Sequence, residues 1–133
     1  MTRVRDAMVS EPLSLDGLSS AQQAGTRLAD PDVRAVLVCA DGELLGVVTR
    51  KTLVREIVAA GLDPGTTLLA TIAEPPIFTL DADEDLDVAF HELEERDLER
   101  VPVTESGRLV GILSRAVVQR RLAEDEPPAD EAA

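Results

Sequence analysis

The sequence contains two copies of one pattern, separated by a constant offset of 65 residues. The copies run from Leu15 to Val58 and from Leu80 to Ala123, and each follows a lead-in that ends at a proline, Pro12 or Pro76. Units this short rarely bury enough apolar surface alone, so we expect them to pack on each other, with a ligand cleft where they meet. Twelve pairs of positions are identical: Leu15/Leu80, Asp16/Asp81, Ala24/Ala89, Leu28/Leu93, Asp32/Asp97, Val36/Val101, Val38/Val103, Gly42/Gly107, Leu44/Leu109, Gly46/Gly111, Arg50/Arg115 and Arg55/Arg120.

Composition excludes several classes of function. A formal net charge of −13 argues against duplex DNA or anionic lipid as a partner. Phe78 and Phe90 are the only aromatic rings besides His91, which leaves no stacking platform for single-stranded nucleic acid. The sequence has no apolar run long enough to cross a membrane. Because its first residues lack the apolar stretch of a secretory signal, we expect none. With Cys39 as the single cysteine, we expect no disulfide within the chain, a small buried thiol and a cytoplasmic location.

Hydrophobic periodicity predicts the order strand, helix, strand, turn, strand, helix in each copy, an α+β fold. Leu18, Ala21, Gly25 and Leu28 are expected on the buried face of one helix, and Leu86, Ala89, Phe90 and Leu93 on that of its counterpart. For the first copy the predicted elements are Leu13–Leu15, Ser19–Ala29, Ala35–Cys39, Leu44–Val48 and Arg50–Ala60. For the second they are Ile77–Leu80, Asp83–Glu95, Val101–Val103, Leu109–Leu113 and Arg115–Ala123. We predict the first repeat at 1–61, the second at 62–123 and a disordered acidic tail at 124–133.

One local motif occurs in both copies, as Gly46-Val-Val-Thr49-Arg50 and Gly111-Ile-Leu-Ser114-Arg115. Thr and Ser are preferred helix N-caps, and capping alone explains them. An arginine at the first helical position opposes the helix dipole, so its duplication favours an anion held between guanidinium and backbone N–H groups. The alternative is that these arginines are solvated or form ordinary ion pairs.

These features together resemble a tandem pair of cystathionine β-synthase (CBS) domains, a Bateman module. The resemblance rests on Val4-Arg-Asp-Ala-Met8 with Pro12, on Arg100-Val-Pro-Val103, and on the duplicated Gly-to-Arg motif. It implies two β-α-β-β-α repeats related by pseudo-twofold symmetry, packed through their sheets and further assembled into a homodimer. It also implies that the cleft between repeats binds an adenosine compound such as AMP, ADP, ATP or S-adenosylmethionine, with no obligatory cofactor.

The resemblance also assigns candidate ligand-binding residues. Thr49 and Ser114 match the hydroxyl that contacts phosphate, and Arg50 and Arg115 occupy a neighbouring position that is frequently basic. Arg100, two residues before the strand proline Pro102, matches a basic position near phosphate. The segments that line the base pocket are Leu13 and Ser14 in one copy and Ile77, Phe78 and Thr79 in the other.

The sequence departs from the family pattern three residues after each hydroxyl. Nucleotide-binding members usually have there an Asp that holds the ribose hydroxyls, whereas this chain has Thr52 and Val117. A lost charged hydrogen bond costs about 1.5–3 kcal/mol. The site with Thr49 and Thr52 is therefore the better candidate, and the one with Ser114 and Val117 is expected to be empty or to hold a ligand without ribose.

The sequence contains no complete motif for catalysis or metal binding. Asp81 to Glu92 is close to a calcium loop, but Leu86 stands where that loop needs glycine. His91 lies on an acidic helix face, and no nucleophile–base pair or phosphate loop occurs. We therefore predict a non-enzymatic regulatory CBS pair that senses an adenosine-type ligand and acts on an unidentified protein partner. The alternative is a ligand-free dimerisation or protein-interaction module.

Overall fold

In the computed structural model, which describes residues 2–10, 12–76 and 78–125, the fold is of the predicted α+β class. The chain divides into two compact units. The first-repeat unit takes its described residues from Pro12–Ile77 and Gly107–Leu109. The second-repeat unit takes its described residues from Met1–Glu11, Phe78–Ser106 and Val110–Ala133. The first-repeat unit therefore includes the segment that follows the first repeat, and the second-repeat unit includes the N-terminal segment that precedes it.

The first-repeat unit is a small sheet covered by helices. Strand β2 (Ser14–Asp16) runs parallel to β3 (Val36–Ala40), which pairs antiparallel with β4 (Glu43–Val48). The helices are α2 (Ala21–Leu28), α3 (Arg50–Leu53), which continues as a π-helical turn over Val54–Val58, and α4 (Leu69–Ile72). The turn between β3 and β4 is a tight one, because Asp41 and Gly42 both adopt positive φ, at 52° and 84°.

The second-repeat unit has the same plan. Strand β5 (Leu80–Asp81) is parallel to β6 (Arg100–Glu105). Strand β1 (Val9–Ser10) is antiparallel to β7 (Arg108–Ser114), which belongs to this unit from Val110 onward. Its helices are α1 (Val4–Ala7), α5 (Leu86–Glu95) and α6 (Arg115–Asp125). Ser106 and Gly107 repeat the positive-φ turn, at 52° and 80°.

The internal repeat extends into the lead-in segments. In one unit, backbone N–H groups of Ala21 and Leu69 donate to the carbonyls of Thr67 (2.8 Å) and Ser19 (2.9 Å). In the other, the bonds at the same offset run from Leu86 to Thr2 (3.0 Å) and from Val4 to Glu84 (2.9 Å). Helices α1 and α4 are therefore equivalent, and each closes its unit from a segment outside the five-element repeat.

Each unit has its own apolar core. Fully buried side chains come from both the sheet and the helices, and the lead-in helix contributes to each. In the first-repeat unit the buried residues are Ala21, Ala24, Leu28, Val36, Val38, Val48, Ile57, Leu69 and Ile72. In the second they are Val4, Ala7, Leu80, Ala82, Leu86, Ala89, Leu93, Val101, Val103, Leu113 and Val118.

Several sequence-based expectations need correction. Leu18 is not on the buried helix face but 76% exposed, because α2 begins only at Ala21, after the N-cap Ser20. The second helix likewise starts at Leu86 rather than Asp83, because the Asp85 side chain caps it by accepting from the Asp87 N–H. Cys39 is half-buried rather than fully enclosed. Helix α6 continues to Asp125, and the rest of the predicted tail lies outside the described residues.

Candidate functional site

In the first-repeat unit, the predicted ligand-binding residues share one edge of the sheet. Leu13 and Ser14 lie where β2 begins, and the backbone pairing Ser14–Leu37 continues across to Val47 on β4. Thr49 follows the end of β4 and caps α3. The first and last of these strands are two spacings apart, about 10 Å.

The N-terminus of α3 carries a reciprocal cap made of two threonines. The Thr49 hydroxyl oxygen accepts from the Thr52 N–H at 3.3 Å, and Thr52 Oγ1 accepts from the Thr49 N–H at 3.0 Å. The two hydroxyl oxygens are 3.1 Å apart. Thr52 is only 1% exposed, yet its hydroxyl is satisfied, because it donates to Glu74 Oε1 at 3.3 Å. The predicted N-cap role of Thr49 is confirmed.

The structure gives the two arginines of the motif protein partners. Arg50 Nη2 donates to the carbonyl oxygens of Asp30 and Val33, both at 2.8 Å, so it ties the start of α3 to the loop after α2. Arg115 pairs with Glu99 and, at 3.4 Å, with Asp97, and its side chain is 22% exposed. These contacts give an internal reason for an arginine at each helix start, which is the alternative raised from the sequence.

The remaining predicted residues lie at the matching edge of the second-repeat unit. Phe78 and Thr79 precede β5, and Ser114 ends β7. Arg100 is exposed at the start of β6, and Pro102 is buried within that strand. The guanidinium of Arg96 lies 4.3 Å from the centre of the Phe78 ring. Ile77 lies outside the described residues.

Four side chains outside these sets have shifted pKa values, and that of Arg5 is raised by its hydrogen bonds to Asp83 and Glu105. Burial, reinforced by a hydrogen bond shared with Glu92, raises the pKa of Glu84 to about 7. The hydrogen bond from Arg5 lowers the pKa of the Asp83 carboxyl. Partial burial raises the pKa of the Cys39 thiol, which argues against a reactive thiolate there.

Two grooves between helices lie apart from the predicted residues. One, of about 420 Å³, is apolar and lies between α2 and the π-helical turn. The other, of about 620 Å³, lies between α5 and α6 and is lined by Asp87, His91, Glu94 and Leu122 among others. Among residues 2–10, 12–76 and 78–125, no group of three or more His, Cys, Asp or Glu side chains is placed to hold a metal ion. None of the helices that the structure describes is long and apolar enough to span a bilayer.

Glu74 lies beside the predicted ligand-binding residues of the first-repeat unit, but the sequence analysis did not identify it. Its backbone N–H and carbonyl both bond to Val47, at 3.0 and 2.8 Å, which places its side chain beside Thr52. Gly46 permits this approach, because a Cβ there would lie 2.5 Å from the Glu74 carbonyl oxygen. The repeat alignment held a signal: Gly46 matches Gly111, which makes the same close approach to Met8 and Val9.

Comparison with known proteins agrees with this architecture. Hypoxic response protein 1 of Mycobacterium tuberculosis is 32% identical over 125 residues, which cover 93% of this chain and 87% of that protein. The crystal structure of Hypoxic Response Protein I with two coordinated zinc ions has a TM-score of 0.77, covering 91% of this chain and 99% of that one, at 31% identity.

Two less similar structures share the fold. CBSX2 in complex with AMP has a TM-score of 0.74 at 22% identity, covering 96% of this chain and all of that one (100%). The CBS domain pair of MJ0100, in complex with 5-methylthioadenosine and S-adenosyl-L-methionine, has a TM-score of 0.67 at 20% identity, covering 94% and 98%. The sequence itself matches the CBS domain family twice, over residues 4–59 and 69–124, so the predicted resemblance is confirmed. The chain therefore belongs to the CBS domain family, as a tandem pair of CBS domains.

Proposed function

We propose that this CBS pair is a non-enzymatic regulatory protein that senses an adenosine-type ligand, AMP, ADP, ATP or S-adenosylmethionine. The observation that carries the proposal is the polar group at one sheet edge of the first-repeat unit. There Thr49 and Thr52 converge with Glu74 beside the end of β4, at the same end of the sheet as the start of β2. AMP in CBSX2, and methylthioadenosine and S-adenosylmethionine in MJ0100, support the ligand class.

In this proposal the ligand contacts Thr49, whose hydrogen-bond partner Thr52 is buried behind it, and its base lies against Leu13 and Ser14. Arg50 contributes through the part of its guanidinium that does not bond the loop carbonyls. The matching described residues of the second-repeat unit are Phe78, Thr79, Arg100, Pro102, Ser114 and Arg115, and we expect the site there to be empty or to hold a ligand without ribose. Val117 offers no hydroxyl there, and Arg115 is engaged by two carboxylates.

Signalling then requires a difference in ligand affinity between two states of the protein. The output is a change in contact with a partner protein, and we propose that the regulated form is a homodimer in the cytoplasm.

The competing function is a ligand-free dimerisation or protein-interaction module. The internal hydrogen bonds of Arg50 and the ion pairs of Arg115 favour it, because they explain the duplicated arginines without an anion. The apolar groove beside Leu53, Ile57 and Val58 also suits a protein contact.

Thermal melting with AMP, ADP, ATP, S-adenosylmethionine and NAD separates the two functions, with phosphate and salt as controls. A ligand at a hundred times its Kd adds about 2.7 kcal/mol, which at this chain length raises Tm by several degrees. We expect such a rise with at least one adenosine compound and none with phosphate. An unchanged Tm with every compound would favour the interaction module.

A further inference from the structure

The two repeats differ together at two positions that meet in space. Thr52 and Glu74 are in contact in the first-repeat unit, and the offset of 65 replaces them by Val117 and Val9 in the second. The backbone geometry is nevertheless the same. Glu74 bridges to Val47, and Val9 pairs with Ile112, which is Val47 shifted by 65 residues. A polar pair in one site thus corresponds to an apolar pair in the other.

The hydroxyl hydrogen bonds around this polar pair run in one direction, from Thr49 to Thr52 and from Thr52 to Glu74. Thr52 Oγ1 gives its hydrogen to Glu74 Oε1, so the Thr49 hydroxyl must donate to Thr52 Oγ1 across the 3.1 Å between them. Thr52 Oγ1 also accepts from the Thr49 N–H, which fills its second lone pair. This chain of hydrogen bonds therefore orients the Glu74 carboxylate, which is its final acceptor.

The carboxylate keeps capacity to accept further bonds. Arg55 and Thr52 both contact Oε1, so neither of these two contacts uses Oε2. The Glu74 side chain is 45% exposed. An ionised carboxylate accepts about four hydrogen bonds, so a ligand that donates two from neighbouring hydroxyls fits this oxygen pair.

Docking of the segment does not require the carboxylate. Val9 pairs with β7 at the equivalent place with an aliphatic side chain, and the two backbone bonds of Glu74 to Val47 hold the segment without its side chain. The second repeat docks its segment without a contact like that between Thr52 and Glu74, so this contact has a role other than docking.

Resting on the proposed function, we propose that Glu74 is the specificity-determining residue of the first-repeat site and accepts hydrogen bonds from the vicinal ribose hydroxyls of the ligand. Its negative charge disfavours a phosphate at the same place, so the ribose edge of the nucleotide faces Glu74. Thr52 is the positioning residue, because it orients the carboxylate and is itself buried. The Val9 and Val117 positions give the other site no such selectivity.

The test is calorimetric titration of AMP and of 2′,3′-dideoxyadenosine monophosphate into wild type, Glu74→Gln and Glu56→Gln. Glu56→Gln is the matched control, since it also removes a carboxylate that contacts Arg55, at 3.2 Å, but not one that contacts Thr52. We expect wild type to prefer AMP by about tenfold or more, the value of a charged hydrogen bond. Glu74→Gln should lose that preference by weakening AMP alone, and Glu56→Gln should keep it.

Thr52→Val, which keeps the volume, provides a second variant and should reduce the preference in the same direction. Melting curves establish that each variant is folded. Equal affinity of wild type for the two nucleotides, or an equal loss of both in Glu74→Gln, would overturn the role of Glu74 while leaving the adenosine site standing. Saturable binding of neither nucleotide to wild type would overturn this inference, and the proposed function falls with it if ADP, ATP and S-adenosylmethionine also leave Tm unchanged.

Discussion

At the scale of single residues, Glu84 makes the stability of the second-repeat unit depend on pH. Its pKa is raised from the ordinary value of 4.5 to about 7, first by burial and then by Glu92. Between these values the folded protein holds a proton that the unfolded chain releases. The free energy of unfolding therefore falls as pH rises through this window, and the contribution is fully present only below it.

We expect Glu84→Gln to remove the loss of stability that ionisation of Glu84 causes at high pH. At pH 8 the variant should melt roughly 3 °C above wild type, as for about 0.5–1 kcal/mol at a half-buried site, and at pH 4.5 the difference should vanish. Melting at both pH values checks it, with the exposed Glu95→Gln as control for removal of one negative charge. The same rise in Tm at both pH values, or an equal rise in the control, would show that ionisation of Glu84 does not destabilise the folded protein.

Local residue roles were predictable where they depend on neighbours in the chain. Thr49 was expected as an N-cap because its environment is the next three residues. The partners of Arg50, the carbonyls of Asp30 and Val33, are 20 and 17 residues away and follow from tertiary packing alone. Glu74 escaped notice for the same reason, since its position depends on how its segment pairs with Val47.

At the scale of elements, the lead-in helices are structural parts of the units rather than connectors. Val4 of α1 is 0% exposed within the core of the second-repeat unit, and Leu69 is 0% exposed in the equivalent position. Each helix has only four residues, so its stability must come from this docking rather than from its own hydrogen bonds.

Truncation of the buried lead-in side chain should therefore destabilise the protein. We expect Val4→Ala to lower the free energy of unfolding by about 1–3 kcal/mol, through lost burial and a residual cavity. Val9→Ala, five residues on in the same lead-in and 60% exposed, should change it by less than about 0.5 kcal/mol. Urea denaturation measures both. Similar values for the two variants would mean that the lead-in does not dock as described.

The predictability of elements follows their length and periodicity. A turn between the two hairpin strands was predicted in each copy, and the structure places these turns at Asp41-Gly42 and Ser106-Gly107, where both residues have positive φ. Helices α1 and α4 were missed, since a single turn carries no 3.6-residue periodicity. The π-helical turn at Val54–Val58 was read as ordinary helix, because one extra residue within a turn leaves the apolar pattern nearly unchanged.

At the scale of the whole molecule, duplication produced two units with one architecture and different chemistry. The repeat, the fold class and the family followed from twelve identical pairs and a few motifs. The proposed difference in function rests on a few divergent positions, of which the sequence showed Thr52 against Val117 at once. Its partner difference, Glu74 against Val9, became visible only when the pairing of each lead-in segment was known.

We propose that each chain has one adenosine site, on the first-repeat unit. Equilibrium dialysis with AMP measures this directly, on wild type and on Thr49→Ala and Ser114→Ala, the same substitution at equivalent positions of the two repeats. We predict a stoichiometry of one AMP per chain, with affinity strongly reduced by Thr49→Ala and unchanged by Ser114→Ala. Two equivalent sites per chain, or loss of binding in Ser114→Ala but not in Thr49→Ala, would contradict it.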